Sequence, residues 1–404
     1  MLINGKHTKS ILLISQHLWG TGHLIRTAAI AAAIAEHTDW RVTHISGGPP
    51  IANFLSAKTV RFVQLPAVQP EKKFSNKQIP VETGLSLEEA HKQRLHVIKD
   101  LLKQRPYDAV ITEFYPFAAK RMADIMDPIL KFAHTTALRT RFICSIRDIP
   151  VGGGSIRDLY LEANYVNNLL RSSYDAVWHH TDPSVIDFSQ TPGLKEATRG
   201  VDYSTTGYIL SHVLDSPRMS QKTLPTVLVT VGGGRDGHEI IALVLKELLK
   251  LIPHQVKKVY VVCGPLMSDQ HMARIQDIVK KERNIQIYKQ VSNLTYLMAQ
   301  CSVVISMAGY NTTVEATSLK RPLLLVPRKN VFEQELRAKA FSQSGFALYW
   351  PQEVHNNNLS KSIQELLRFQ PKGALDTRGA ERSLELLMDM FKRKENEYVK
   401  QKQC

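Results

Sequence analysis

Cysteine is scarce in this chain of 404 residues, and its four cysteines, Cys144, Cys263, Cys301 and Cys404, lie far apart. Because no Cys-x-x-Cys pair occurs, we expect reduced thiols and no zinc site built from cysteines. Long hydrophobic runs are also missing. The longest run of small apolar residues, Ala28 to Ala35, is too short to cross a bilayer, and no secretory leader pattern follows the first residues. We therefore expect a cytoplasmic protein.

The usual signatures of metal-dependent chemistry are absent from the sequence. It contains no Asp-x-Asp, no His-Glu-x-x-His, no Gly-x-Ser-x-Gly and no Walker lysine motif. We therefore expect neither a metal ion nor another cofactor. Helix-turn-helix, zinc-finger and RNA-binding signatures are missing too, so a nucleic-acid partner is not expected.

Positive charge exceeds negative charge by 15 at neutral pH. A phosphorylated substrate, a nucleic acid and an anionic membrane surface all fit this sign. The lysines and arginines are scattered, with small groups at 72–77, 257–258 and 392–402, so solvated faces are an equally good explanation. Peripheral association with an anionic membrane, at its inner face, stays open.

Short β-branched or apolar runs alternate with amphipathic segments of helical length along the whole chain, which is typical of parallel α/β construction. A polar stretch that ends at a proline, 211–225, interrupts the alternation, and we interpret it as a linker. We predict an acceptor-side Rossmann-like domain at 1–210, a nucleotide-sugar-binding one at 226–373, and a helix and tail at 374–404 that packs back on the first domain. Two such parallel sheets would face each other across a cleft, where ligands bind beyond the carboxyl ends of the strands.

The most informative segment is Ser306 to Glu315, which lies between two apolar runs that we predict to be strands. Small residues let the backbone approach a ligand, and the polar residues after them offer hydroxyl, amide and free N–H groups at a helix start, which suits an anion. A carboxylate on the same helix suits sugar hydroxyls. Phosphate plus hydroxyl indicates a nucleotide. The predicted binding residues are Ala308, Gly309, Asn311, Thr312, Thr313 and Glu315.

In each half, one further glycine turn follows the first predicted strand. They comprise Gly20, Thr21 and Gly22 in the first half, and Gly232, Gly233, Gly234 and Arg235 in the second. The second turn also fits Gly-x-Gly-x-x-Gly, a dinucleotide-binding fingerprint. The next strand, however, ends in Cys263-Gly264-Pro265 and carries no carboxylate for a ribose, so a nicotinamide site is disfavoured. A phosphate cradle with Arg235 as its charge partner remains.

The candidate catalytic residues are His23, Glu113 and Asp148. His23 follows the first glycine turn at a helix N-terminus, where a neutral imidazole is favoured and could take a proton from a hydroxyl. It could equally cap the helix or bind phosphate. Glu113 and Asp148 end neighbouring predicted strands and could orient His23 or act as the base. Asp148 could instead form an ion pair with Arg147.

This combination resembles the GT-B glycosyltransferases, and within them the MurG-like branch of family 28. The likeness is most specific at 308–315, at Arg321 to Pro327 and at Glu333-Gln334. It implies that the turn meets the diphosphate of the donor, that Glu315 holds the ribose, and that the Glu333-Gln334 region meets the sugar. The chain departs from the branch at Met307, and around Glu113 and Ser145 to Asp148 it looks more like a less characterised group of predicted bacterial glycosyltransferases.

The resemblance implies transfer of a sugar from a nucleotide diphosphate sugar to a hydroxyl acceptor, with inversion and without a metal. A UDP-sugar such as a UDP-N-acetylhexosamine is the expected donor, and synthesis of the bacterial envelope or of another glycoconjugate is the expected setting. Two alternatives remain. One is a nucleotide-sugar epimerase of the same fold, and the other is a sugar-nucleotide-binding protein without catalysis.

Overall fold

The structure is a computed structural model. It describes residues 8–17, 21–51, 56–71, 77–104, 106–117, 126–131, 140–150, 156–191, 193–211, 224–351 and 358–403.

Two parallel sheets form the framework. The first has the strand order β3-β2-β1-β6-β7-β8-β9, and a short antiparallel hairpin, β4-β5, accompanies it. Strands β1 and β6 at its centre are buried along their whole length, which explains their nearly continuous apolar sequences. The strands of the first half are β1 Ser10–Ser15, β2 Arg41–Ser46, β3 Val60–Gln64, β4 Val68–Pro70, β5 Gln78–Pro80, β6 Ala109–Glu113, β7 Arg141–Arg147, β8 Ala176–His180 and β9 Tyr203–Thr205.

The second sheet has the order β12-β11-β10-β13-β14-β15, and every pair in it is parallel. Its centre is again a pair of buried apolar strands that turn their carboxyl ends to the same edge. The strands are β10 Thr226–Thr230, β11 Lys258–Val262, β12 Ile285–Tyr288, β13 Val303–Ser306, β14 Leu323–Leu325 and β15 Leu348–Tyr349. The predicted α/β architecture with two parallel sheets is confirmed.

Helices connect the strands, as parallel pairing requires. In chain order they are α1 Gly22–His37, α2 Leu87–Gln104, α3 Ile156–Ser173, α4 Leu194–Ala197, α5 His238–Leu248, α6 Asp269–Ile278, α7 Leu294–Gln300, α8 Tyr310–Ser318, α9 Phe332–Gln343, α10 Leu359–Leu366 and α11 Gly379–Gln403. None of the helices in the described part of the chain is both long and apolar enough to cross a bilayer.

The last helix, α11, packs on α1 of the first half. Leu384 and Leu387 join the apolar cluster that covers β1, and the Phe391 ring lies 5.3 Å from the ring of Trp40, which follows α1. The chain therefore returns to the first half after completing the second sheet. Most of the predicted linker, 212–223, lies outside the described residues.

Candidate functional site

The helices that start at the carboxyl ends of the central strands have open N-termini. Helices α1, α5, α8 and α9 have no side-chain hydrogen bond at their N-caps. By contrast, Ser268, Asn293 and Asn358 cap α6, α7 and α10. Because uncapped amides carry a partial positive charge, the four open helix starts are suited to an anion.

The start of α8 faces open space on one side and the first domain on the other. A Cβ placed on Gly309, the N-cap, would meet no atom within 4 Å. One placed on Gly22, at the start of α1, would come within 3.9 Å of Asn311 Oδ1. The two helix starts therefore approach each other, and Asn311 lies between them. Gly20 lies outside the described residues, while Thr21 is the N-cap of α1.

The other predicted donor-binding residues of α8 are more deeply placed. Thr312 and Thr313 are buried, and Ala308 is fully enclosed with its carbonyl accepting from Arg337 Nη1 at 2.6 Å. Glu315 lies on the second turn rather than the first, and its carboxylate accepts a hydrogen bond from Ser211 Oγ. Burial raises the pKa of Glu315 above its ordinary value. Glu315 therefore contacts Ser211, which is the last residue that the structure describes before the linker region.

The second glycine turn contains glycines of two kinds. Gly232 has φ of 70° and open space at its Cβ position, so the turn exposes its backbone there. Gly234 also has positive φ, but a Cβ would lie 2.2 Å from the carbonyl oxygen of Cys263. Gly234 is therefore required for packing against the neighbouring loop. Gly233 accepts a hydrogen bond from Leu266 N at 2.9 Å, and Arg235 is partly exposed beside them.

His23 and Glu113 form a hydrogen-bonded pair at the opening of the first domain. His23 Nδ1 is 2.9 Å from Glu113 Oε1, and Arg26, one turn further along α1, donates to the same oxygen. Burial alone would raise the pKa of Glu113, but the Arg26 charge and the hydrogen bonds from both neighbours lower it to about 2. Since an ionised carboxylate only accepts, Nδ1 of His23 carries the hydrogen.

The proton on Nδ1 leaves the other ring nitrogen of His23, Nε2, as an acceptor. Burial lowers the pKa of His23, and the charges of Arg26 and Arg147 lower it further against the opposing effect of Glu113. The imidazole is therefore neutral at pH 7. Its side chain keeps 22% of its surface exposed, so a hydroxyl can reach it.

A second chain of hydrogen bonds reaches Glu113 at its other carboxylate oxygen, Oε2. Ser145 Oγ donates to Glu113 Oε2 at 2.8 Å and lies 2.8 Å from His180 Nε2, while His180 Nδ1 lies 2.7 Å from Thr206 Oγ1. Because Ser145 has one proton and gives it to Glu113, His180 must donate to Ser145 through Nε2. Burial lowers the pKa of His180 to about 3, so this imidazole is neutral too. Glu113 is the final acceptor of the whole chain.

Asp148 occupies a different environment from Glu113. Arg337 of α9 donates to its two oxygens at 2.7 and 2.6 Å, and the Ile149 N–H donates at 2.8 Å. Neither charged side chain has any exposed surface. Asp148 therefore joins the two halves of the molecule as an enclosed ion pair, and it has no surface with which to receive a proton from an acceptor.

Glu333 and Gln334, at the start of α9, have separate partners. Glu333 forms an ion pair with Arg147, which is the last residue of β7 in the first domain and stacks on Phe114 at 5.0 Å. Arg147 and Asp148 each form an ion pair with a residue of α9, Glu333 and Arg337 respectively, so both pairs connect the two halves of the molecule. Gln334 is buried, and its Oε1 accepts from Arg328 N at 2.9 Å.

Four residues that shape this site were not among the predicted ones. Arg26 follows His23 by three residues, which places both on one face of α1, and that spacing was an available signal. Ser145 and Arg337 carried no comparable signal. Tyr310 lies inside the predicted turn, and its ring packs 4.9 Å from the guanidinium carbon of Arg26.

Solved structures define the class of fold. MurG from Acinetobacter baumannii superposes with a TM-score of 0.59 at 15% sequence identity, over 94% of this chain and 99% of that one. The UDP-GlcNAc 2-epimerase from Methanocaldococcus jannaschii gives 0.58 at 15% identity, over 94% and 99%. At such low identity the likeness concerns the fold alone. The chain has the GT-B fold, and the predicted resemblance is confirmed.

The second domain carries the family likeness. Residues 226–391 match the model of the glycosyltransferase family 28 C-terminal domain. An uncharacterized glycosyltransferase from Methanopyrus kandleri is 29% identical over 164 residues, covering 40% of this chain and 44% of the relative. A UDP-N-acetylglucosamine–N-acetylmuramyl-(pentapeptide) pyrophosphoryl-undecaprenol N-acetylglucosamine transferase from Lactobacillus helveticus is 31% identical over 149 residues, covering 36% and 39%. The matched segments thus span less than half of either relative.

Proposed function

We propose that the protein is a glycosyltransferase that moves a sugar from a UDP-sugar to a hydroxyl acceptor. The observation that carries this proposal is the placement of a neutral, partly exposed His23, held by ionised Glu113, opposite the open start of α8. A proton acceptor and an anion-binding helix start are the two elements that the transfer of a sugar away from a diphosphate needs. The family 28 domain and the relatives that carry a UDP-N-acetylglucosamine transferase name support the same donor class.

In the proposed mechanism, Nε2 of His23 takes the proton of the acceptor hydroxyl as that oxygen bonds to the anomeric carbon. Glu113 keeps the imidazole in the required tautomer and stabilises the imidazolium that forms. The bond from the sugar to the diphosphate breaks, and the uncapped amides at Gly309 and Asn311 stabilise the departing anion. Direct attack of this kind inverts the anomeric centre and uses helix dipoles where other transferases use a metal ion.

The donor would lie against the second domain and the acceptor against the first. Ala308 to Asn311 and the Gly232 turn are the proposed diphosphate contacts, with Arg235 as their charge partner. Glu315 is the proposed ribose ligand, and Glu333 and Gln334 border the proposed sugar position. Arg147 would then lie across from the sugar, because it is paired with Glu333.

The test of this function is incubation of the protein with UDP-N-acetylglucosamine and related donors, with and without a panel of hydroxyl acceptors. A transferase releases UDP in proportion to a new glycoside and leaves the sugar itself unchanged. Conversion of the donor into another UDP-sugar without any acceptor would instead identify an epimerase, whose fold this chain shares. Binding of UDP without either product would identify a non-catalytic binding protein.

We also propose a cytoplasmic protein that attaches peripherally to the inner face of an anionic membrane. The formal charge of +15 supports this, because each surface lysine or arginine near anionic lipid adds about 1 kcal/mol of attraction. Flotation with vesicles of anionic lipid should show binding at low salt that disappears at high salt, and neutral vesicles serve as the control. Failure to bind at low salt would refute the attachment.

Replacing Glu315 by alanine is expected to weaken UDP binding by about tenfold or more, because a buried acceptor for two ribose hydroxyls is lost. Calorimetric titration with UDP measures this. The matched control is Glu365→Ala, which removes an exposed carboxylate from α10 and should leave the dissociation constant unchanged. Equal affinity of Glu315→Ala and the wild-type protein would remove Glu315 from the ribose site.

A further inference from the structure

Tyr310 connects the start of α8 to the first domain. It is the first residue of that helix, and only 5% of its surface is exposed. Its hydroxyl donates to the carbonyl oxygen of His180 at 3.2 Å and accepts from the N–H of Ile209 at 3.0 Å. Both partners belong to the first domain, so the phenol uses its donor and an acceptor position across the domain boundary.

The ring of Tyr310 makes a second contact with the first domain. The guanidinium carbon of Arg26 lies 4.9 Å from the ring centroid, and that of Arg337 lies 5.9 Å away. Both distances fall in the range of attractive cation–π contacts, which strengthen when they are buried. Arg26 is 2% exposed and is therefore held between this ring and Glu113.

Besides His23, two side chains hydrogen-bond to Glu113, and both are connected to Tyr310. The first is Arg26, which the Tyr310 ring contacts directly. The second is Ser145, whose partner His180 accepts the Tyr310 hydroxyl at its backbone carbonyl. A displacement of the first turn of α8 would therefore reach Glu113 through two independent sets of contacts.

We propose that Tyr310 is a positioning residue that holds the His23–Glu113 pair in place from the donor-binding helix. The inference rests on the proposed function, since it takes α8 as the helix that binds the diphosphate of a nucleotide sugar. A diphosphate that fixes the start of α8 also fixes Tyr310, and through it the base. Binding of the donor would then be linked to the position of the His23–Glu113 pair.

The charges around His23 determine the direction of the expected effect. The groups that face it are Glu113 from β6, Arg26 from its own helix, Arg147 at the end of β7, and His17 just after β1. Of these, Tyr310 contacts Arg26. When the ring is removed, Arg26 is less firmly held and its charge lowers the pKa of His23 less. The pKa of His23 should therefore rise.

The experiment is an NMR titration of the His23 imidazole, with its signal assigned from a His23→Gln variant. In Tyr310→Leu we expect the His23 pKa to rise by about one pH unit. In Tyr310→Phe, which keeps the ring and loses the two hydrogen bonds, we expect a smaller rise in the same direction. The acid limb of kcat/KM should move to higher pH in parallel. A purely structural role would lower the melting temperature without moving the titration.

Tyr107→Phe is the matched control. Tyr107 is a buried tyrosine with a hydrogen bond to Thr43, and it lies before the first residue of β6, whereas Glu113 is the last residue of that strand. Its His23 titration should equal that of the wild-type protein. An unchanged His23 pKa in folded Tyr310→Leu would overturn the proposal, as would an unchanged value in Tyr310→Phe if the leucine variant does not fold. The titration requires no turnover, so absence of sugar transfer by the wild-type protein would refute the proposed function and leave this test intact.

Discussion

Replacing His23 by glutamine is expected to lower the rate of sugar transfer by about 10²–10⁴-fold, the usual contribution of a general base. Glutamine can still donate a hydrogen bond to Glu113, which His23 approaches to 2.9 Å, so the pocket keeps its shape and loses only the proton acceptor. The dissociation constant of UDP should stay within about twofold, because the proposed diphosphate and ribose contacts lie on the second domain. Single-turnover transfer rates and calorimetry together check this prediction.

His96→Gln supplies the control for this prediction. His96 is an exposed residue of α2 that lies 3.1 Å from Asp100, and its replacement should leave transfer unchanged. Transfer at the wild-type rate by His23→Gln would show that another group accepts the proton. Glu113 would then be the next candidate, although its pKa of about 2 makes it a weak base at neutral pH.

The framework of the fold could be predicted from sequence because its strands are buried on both faces. Such strands form nearly continuous apolar runs, as in β1 and in β10, and they are separated by segments long enough for a helix. The observed strands accordingly coincide with short apolar runs of the sequence. The short strands β9 and β15 and the small hairpin β4-β5 were not predicted, because three or fewer residues show no periodicity.

The start of α8 shows where local preference misleads. Asn311 and Thr312 favour caps and turns, so local preference alone would place the start of the helix after them. The helix instead begins at Tyr310, with Gly309 as its N-cap in an extended conformation. The tertiary contacts of the Tyr310 ring outweigh these local preferences. Tyr310 is therefore the first residue of the helix, and its hydroxyl bonds to Ile209 and His180 of the first domain, a role that its place in the sequence does not reveal.

The partners of the charged residues could not be predicted at all. Asp148 and Arg337 are 189 positions apart, and a pair at that separation leaves no trace in composition or spacing. Sequence reasoning consequently left three carboxylate roles open for Glu113 and Asp148. Similarly, Gly232 and Gly234 look alike in sequence, but only the second has a carbonyl oxygen within 2.2 Å of its Cβ position.

Replacing Asp148 by alanine is expected to destabilise the protein by about 3–5 kcal/mol, because it leaves the Arg337 guanidinium buried without its counter-charge. Burial alone would raise the pKa of Asp148, but the Arg337 charge and hydrogen bonds keep it below the ordinary value. A lowered pKa in the folded state means that the ion pair stabilises the protein above about pH 4 and that this contribution is lost as the pH falls further. Denaturant unfolding between pH 3 and pH 7 measures both effects.

The double variant Asp148→Leu/Arg337→Met distinguishes a buried charge penalty from a lost attraction. Since apolar side chains of similar volume can replace an enclosed pair at little cost, the double variant should recover most of the stability that Asp148→Ala loses. The exposed pair Glu88–Lys92 on α2 is the control, and its removal should leave the unfolding transition close to that of the wild-type protein. If Asp148→Ala unfolds at the wild-type denaturant concentration, the ion pair does not hold the two domains together. The same measurement on Arg147→Met would then show how much the Arg147–Glu333 pair contributes to joining them.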